Sequence, residues 1–263
     1  MYRLFASDMD GTLLNRYSKV APATTAAVEA ANKTGRIFTV VTGRSLFGMR
    51  QFAPALPLQH PFGIFNGAMI VDMSGKIYYE QPLTREDAAE ILQLAHERTE
   101  NVYLWVGQDM YGYRIDEKLQ RYAAMSGVSP KIIENDEQIL EMPIAKILWH
   151  DTPANIASWL ADLSKSLAGR VNVSTSAPDY IEFNHADVSK GLCLQRLGEL
   201  MDVSREEIIA VGDETNDLPM IRYAGLGIAM KNATQAVLDE ADEIAPWTCD
   251  EDGLAKLIDR YLL

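Results

Sequence analysis

Residues 37–41, IFTVV, form an unbroken apolar and mostly β-branched run that ends at once on Thr42, Gly43 and Arg44. A run so short favours a strand over a helix, and its lack of polar alternation means that both faces are covered. Strands buried on both faces belong to parallel sheets, whose crossover connections lay helices over each side. The flanking sequence supplies those helices and further strands. Residues 2–7 read as a strand, Pro22–Lys33 as an Ala-rich helix closed by Gly35, and residues 45–52 as a helix stopped by Pro54 and Pro57. PFGIFNGAMIVD then reads as another apolar strand, and MSGKIYYEQ as the returning arm of a hairpin turned at Ser74-Gly75. From Ser189 the alternation resumes with helix SKGLCLQRLGELM, strand EIIAVGD, helix NDLPMIRYA, strand GLGIAM and helix ATQAVLDEA, before DEIAP and a final GLAKLIDRYLL. The expected fold class is α/β, with a doubly wound, Rossmann-like parallel-sheet core.

Between these halves the texture changes near Leu83. LTREDAAEILQLAHERT is an amphipathic helix whose Thr84 and Asp87 resemble a capping box, with Ala88, Ile91, Leu92 and Ala95 on one face. NVYLWVGQDMYGYR reads as a hairpin, DEKLQRYAAMSG as a helix closed by Gly127, and IAKILWH as a strand. Thr152 before Pro153 caps a further helix with Ile156, Trp159, Leu160, Leu163 and Leu167 in its stripe, and RVNVSTS and DYIEFNH complete the block as strands. The expected organisation is a core in two parts, 1–82 and 185–263, around an inserted α+β cap domain at 83–184.

The chain carries 24 Lys and Arg against 37 Asp and Glu, a net charge of -13, so its long-range field argues against a general nucleic-acid binder. No apolar stretch approaches the roughly 18 residues of a membrane span, and the chain reaches Asp8 before a signal-peptide core can form. Cys193 and Cys249 lie far apart without metal spacing and read as buried or half-buried residues of a reducing compartment, while His60, His96, His150 and His185 show no ligand spacing. A cytoplasmic protein, a monomer or small homo-oligomer, with no nucleic-acid or membrane partner, is expected.

Polar residues gather at the expected strand ends: Asp8 and Asp10, Thr42 and Gly43, Asn66 and Gly67, and Asp213 to Asp217, with Lys190 opening a helix that reaches the same edge. Singly these have bland readings: TGR as a strand-to-helix turn, Lys190 as a solvated lysine, GDETND as a helix cap. Their ordered appearance at separate strand ends reverses that weighting. Clustered carboxylates repel unless a hard divalent cation sits among them, and oxygen ligands without His or Cys favour Mg²⁺ over zinc. Such a magnesium keeps positions for water and a substrate phosphate. Phosphoryl chemistry then assigns Asp8 to attack on phosphorus and Asp10 to proton transfer, with Lys190 and the Thr42 hydroxyl on the non-bridging oxygens. Alternation along an extended chain would point Asp8 and Asp10 the same way.

In this order DMDGT, TGR, the VSKG lysine and GDETND resemble the four motifs of the haloacid dehalogenase superfamily of phosphohydrolases. The long insert between the second and third, with FNGA and NDLPMI, is similar to the Cof-type sugar-phosphatase branch, which carries an α/β cap there. The resemblance implies nucleophile Asp8, general acid/base Asp10, and magnesium on the Asp8 carboxylate, the Asp10 backbone carbonyl and Asp213. It implies phosphate on the Met9 backbone, Thr42, Gly43, Lys190 and Asn216, with Asp217 orienting Lys190 or a metal-bound water. In the cap, Tyr111, Tyr113 and Asn184 are candidate leaving-group contacts, with packing as an equal alternative. So large an insert suggests a lid over small substrates, hence small phosphorylated metabolites, sugar phosphates ahead of phosphomonoesters such as pyridoxal phosphate. Two other outcomes stay open: transfer to a sugar hydroxyl, as in a phosphomutase, and a non-catalytic phosphoaspartate switch, which would be about half this length.

Overall fold

The computed structural model describes residues 1–99 and 101–263, and the side chains of all of these except Met125 and Ser176. β1 (Leu4–Ser7) has no polar face and is buried along its whole length, as is β2 (Ile37–Val40). Between them, Pro22 presets the first turn of α1 (Pro22–Lys33). Ser45 then caps the short α2 (Leu46–Arg50) by accepting the Gly48 N–H. The PFGIFNGAMIVD segment is not one strand. It forms β3 (Phe62–Ile64) and β4 (Met69–Val71), paired antiparallel across a turn at Phe65–Gly67. Asn66 and Gly67 take φ values of 58° and 99° there, a conformation through which no strand continues. β5 (Ile77–Glu80) completes this three-stranded sheet.

The chain divides into two compact units, Met1–Tyr79 with Ser189–Leu263, and Glu80–Val188. The second contains α3 (Arg85–His96), β6 (Val102–Val106), β7 (Asp109–Gly112), α4 (Glu117–Ser126), β8 (Lys131–Ile132), α5 (Asp136–Leu140), β9 (Ile144–His150), α6 (Pro153–Ser166), β10 (Val171–Ala177) and β11 (Tyr180–His185). Its sheet runs β10-β11-β9-β6-β7-β8, antiparallel except for the β7–β8 pair. One face packs Leu104, Ile147, Trp149 and Phe183 with Ile91 of α3 and Ile156 of α6. Alternation puts Lys146 and Glu182 on the other face, where they form a buried ion pair of 2.7 Å. Tyr111 and Tyr113 join the helix-backed core, Tyr113 donating to Asp136, and Asn184 donates to the Ala145 carbonyl.

The first unit resumes with α7 (Lys190–Leu200), β12 (Ile208–Gly212), α8 (Leu218–Tyr223), β13 (Leu226–Ala229), α9 (Gln235–Glu240), β14 (Glu243–Ile244) and α10 (Gly253–Tyr261). Its main sheet is entirely parallel, in the order β14-β13-β12-β1-β2, and Val41 beyond β2 bridges Gly63 of β3. Leu4 and Ala6 pack with Leu194, Leu197 and Met220 of α7 and α8, while Phe5 on the opposite face stacks on Phe38 with ring centroids 6.0 Å apart. From β1 the chain winds to β2, and from β12 it winds the other way to β13 and β14. The switch point therefore lies between β1 and β12. Among the described residues no helix is long and apolar enough to cross a membrane.

Candidate active site

Ligands of doubly wound sheets sit beyond the carboxyl ends of the strands at the switch point. β1 and β12 end there at Ser7 and Gly212, so Asp8 and Asp213 are the next residues out. The Asp8 N–H still bonds the Val211 carbonyl at 2.9 Å, but the Leu13 and Leu14 N–H groups both return to the Met9 carbonyl. The chain thus turns as soon as the strand ends. Extended alternation does not reach Asp10, and the two aspartates meet different cations: Asp8 is buried on Lys190, whereas Asp10 is exposed on Arg44. Gly11 makes the turn possible at φ +81°, with no room for a side chain, since a Cβ would lie 2.1 Å from Asp213 Oδ2.

Ser189 caps α7 by accepting the Leu192 N–H, which sets Lys190 at the first helical position. Lys190 is 1% exposed, and its Nζ donates to Asp8 Oδ1 at 2.6 Å and to Asp217 Oδ1 at 2.5 Å. The other Asp217 oxygen accepts the N–H groups of Asp213 and Glu214, at 2.9 and 3.0 Å. Asp217 therefore ties the lysine to the loop after β12. Asp213 Oδ1 accepts the Thr12 hydroxyl at 2.6 Å. Asp8, Asp213 and Asp217 can each present an oxygen within 4.8 Å of the others.

A second group borders the first. The Asn66 N–H donates to the Thr42 carbonyl at 2.8 Å, Asn216 Nδ2 donates to Asn66 Oδ1 at 3.1 Å, and a Cβ on Gly43 would lie 3.2 Å from that same oxygen. Thr42, Gly43, Asn66 and Asn216 thus share one corner. Arg44 grips the Asp10 carboxylate with Nε at 2.7 Å and Nη2 at 2.5 Å.

Three carboxylates share one ammonium in the buried cluster, which leaves negative charge uncompensated. Burial pushes the Asp8 carboxyl up to about 7, and Asp217 adds to the rise, while Lys190 and a backbone hydrogen bond from Met9 pull it down. Asp213 is likewise pushed up to about 7, by burial first, against the Thr12 hydrogen bond. Burial alone would lower the Lys190 pKa, but Asp8 and Asp217 outweigh it and hold the ammonium charged. Purely carboxylate donors with a deficit of positive charge suit a hard divalent cation. The buried cluster could hold one.

Sequence pattern assigns no role to Thr12, Arg44 or Asn232. Thr12 and Arg44 lie inside DMDGT and TGR, so motif membership was an available signal. Asn232 had none: its Nδ2 holds the Gly11 carbonyl at 2.8 Å, and its Oδ1 accepts the Cys249 N–H at 3.0 Å.

The sequence profile described as haloacid dehalogenase-like hydrolase matches residues 5–258. The 5-amino-6-(5-phospho-D-ribitylamino)uracil phosphatase YitU of Bacillus subtilis is 29% identical over 268 residues, covering 98% of this chain and 97% of that protein. The HMP-PP phosphatase of Yersinia pseudotuberculosis is 26% identical over 266 residues, covering 100% of this chain and 96% of that protein. Among solved structures, a haloacid dehalogenase-like hydrolase from Bacteroides thetaiotaomicron superposes with a TM-score of 0.86 at 28% identity, over 99% of each chain.

Proposed function

The chain belongs to the haloacid dehalogenase-like hydrolase family, as a Cof-type phosphatase of phosphomonoesters, and we propose that it acts on small phosphorylated metabolites, sugar phosphates foremost, with Asp8 as nucleophile and Asp10 as general acid/base. The observation that carries this reading is the buried Asp8, held at 2.6 Å by Lys190 beside Asp213 at the switch point of the sheet. The Asp8 carboxylate attacks phosphorus, the bond from phosphorus to the ester oxygen breaks, and Asp10 gives its proton to that leaving oxygen. Asp10, now ionised, takes a proton from a water whose oxygen attacks the aspartyl-phosphate, and Asp8 is released as carboxylate. Lys190, the Thr42 hydroxyl, the Asn216 amide and the N–H groups of Met9 and Gly43 donate to the non-bridging oxygens. Magnesium on Asp8, Asp213 and the Asp10 carbonyl would supply further positive charge against those oxygens when bound. Asp217 keeps Lys190 aimed at Asp8.

The relatives support the substrate class: one is named for a phosphoribityl compound, a polyol phosphate close in chemistry to a sugar phosphate. A phosphate-release screen over sugar phosphates, nucleotides and pyridoxal phosphate, with magnesium and with chelator, tests the proposal. Release is expected with magnesium, to be lost with chelator, and to fall about 10³-fold or more in Asp8→Asn. No release from any compound, or an Asp8→Asn variant equal to the parent, overturns it. Labelled phosphoryl passing to a sugar hydroxyl faster than to water replaces hydrolysis with transfer.

A further inference from the structure

Asp10 stands on an exposed turn, where a carboxylate has several orientations open to it. Its side chain is 57% exposed, yet both oxygens are engaged by a single group, the Arg44 guanidinium. A planar fork bonded to both oxygens fixes the plane of the carboxylate as well as its position, which a lysine point charge does not do. Arg44 is itself held. Its guanidinium lies over the Phe52 ring, 5.2 Å from the centroid. Its N–H donates to Thr42 Oγ1 at 3.2 Å, and its carbonyl accepts the Phe65 N–H at 3.1 Å. The residue that grips Asp10 is thereby locked to the segment carrying Thr42 and to the turn carrying Asn66.

We propose that Arg44 is a positioning residue for Asp10, orienting that carboxylate for its two proton transfers without itself touching the phosphoryl group. The inference rests on the role given to Asp10 above. Proton transfer depends steeply on the placement of the acid or base, so loss of the fork is felt in turnover rather than in substrate binding. The competing role, in which Arg44 leaves Asp10 and grips the phosphate, raises KM and lowers kcat/KM instead.

Steady-state kinetics with p-nitrophenyl phosphate separate the two, because its aryl oxide leaves without a proton and the assay reads the step in which Asp10 activates water. The parent is compared with Arg44→Met, Arg44→Lys, Asp10→Asn, Asp8→Asn and the Arg44→Met/Asp10→Asn double variant, each checked by thermal melting. Arg44→Met is expected to lower kcat about 10- to 100-fold with KM falling alongside it and kcat/KM within about threefold of the parent, because only breakdown of the aspartyl-phosphate is slowed. Arg44→Lys, which also carries the test if the methionine variant does not fold, is expected to fall between it and the parent. The double variant is expected to be no slower than Asp10→Asn, because the two residues act as one unit. A rise in KM with kcat held, a double variant that multiplies the two losses, or an Arg44→Met variant equal to the parent overturns the proposal. In those cases a parent that releases phosphate and an Asp8→Asn variant that does not leave the phosphatase reading standing. A parent without activity overturns both.

Discussion

Lys190 is the sole cation hydrogen-bonded within a buried group of three carboxylates among the described residues, and this makes it the most sensitive single position in the site. Removing one partner of a buried ion pair leaves uncompensated charge, which costs about 3–5 kcal/mol. Lys190→Met is accordingly expected to lose stability on that scale in chelator, with magnesium restoring part of it; denaturant unfolding under both conditions measures this. A loss below about 0.5 kcal/mol would mean that solvent already screens the cluster. Gly11 is the second such position, for a steric reason. An alanine there meets both a positive φ and Asp213 Oδ2 at 2.1 Å. Gly11→Ala is expected to cost about 1–3 kcal/mol and, by pushing Asp213 aside, to weaken magnesium-dependent activity. Unchanged unfolding together with unchanged magnesium dependence would refute this.

Among the elements, the turn joining β3 and β4 stores strain beside the site. Phe65, Asn66 and Gly67 take consecutive φ values of 51°, 58° and 99°, and each non-glycine in that region costs about 1–3 kcal/mol. Hydrogen bonds to the Arg44 and Thr42 carbonyls hold the turn, and Gly67 lies against α7, where a Cβ would sit 2.5 Å from that of Cys193. The strain thus joins the end of β2 to the start of α7 and aims the Asn66 amide at Asn216. Asn66→Gly is expected to be more stable than Asn66→Ala by about 1 kcal/mol, because glycine accepts the backbone. Both lose the amide, so both are expected to bind inorganic phosphate more weakly than the parent. Equal stability of the two variants, or phosphate inhibition as strong as in the parent, would show that the turn does not act this way. The pair Asn66-Gly67 is a turn signal, but apolar residues on both sides made the segment read as one strand. The helix Pro22–Lys33 was legible because its signals are local, and the meeting of Asp8, Lys190 and Asp213 because strand ends of a doubly wound sheet converge. The Thr12–Asp213 and Asn232–Gly11 hydrogen bonds, between residues 201 and 221 apart, depend on tertiary packing and leave no pattern to read. The short β8 and α5 are too brief for any periodicity to show.

For the whole molecule, these charges tie stability to pH and to metal. Asp8 and Asp213 have pKa values raised from 3.8 to about 7. Between those limits the folded protein holds protons that the unfolded chain has released, so stability falls as pH rises through that window and levels off above it. Glu80, raised by burial, acts in the same direction, while His60, lowered by burial, opposes it as pH rises towards its ordinary value of 6.5. Asp72, Asp151, Asp250, Glu207 and Glu251 are lowered by hydrogen bonds, so their contributions are present above their ordinary values and are lost as pH falls below them. They act at the acid edge. The raised Lys190 contributes throughout the window. A net charge of -13 adds to the cost of ionising the cluster. A divalent cation such as magnesium, when bound, would take the place of the protons, and its contribution would grow with pH as the carboxylates ionise, reaching about 2.7 kcal/mol at 100 times its dissociation constant. Unfolding free energies in chelator are therefore expected to be lower near about pH 8 than near about pH 5, and magnesium is expected to shrink or reverse that difference. The double variant Asp8→Asn/Asp213→Asn is expected to flatten the chelator profile and to lose the magnesium response together. A parent no less stable at the higher pH, or a double variant that keeps the same slope, would mean that these two carboxylates do not hold the protons assigned to them.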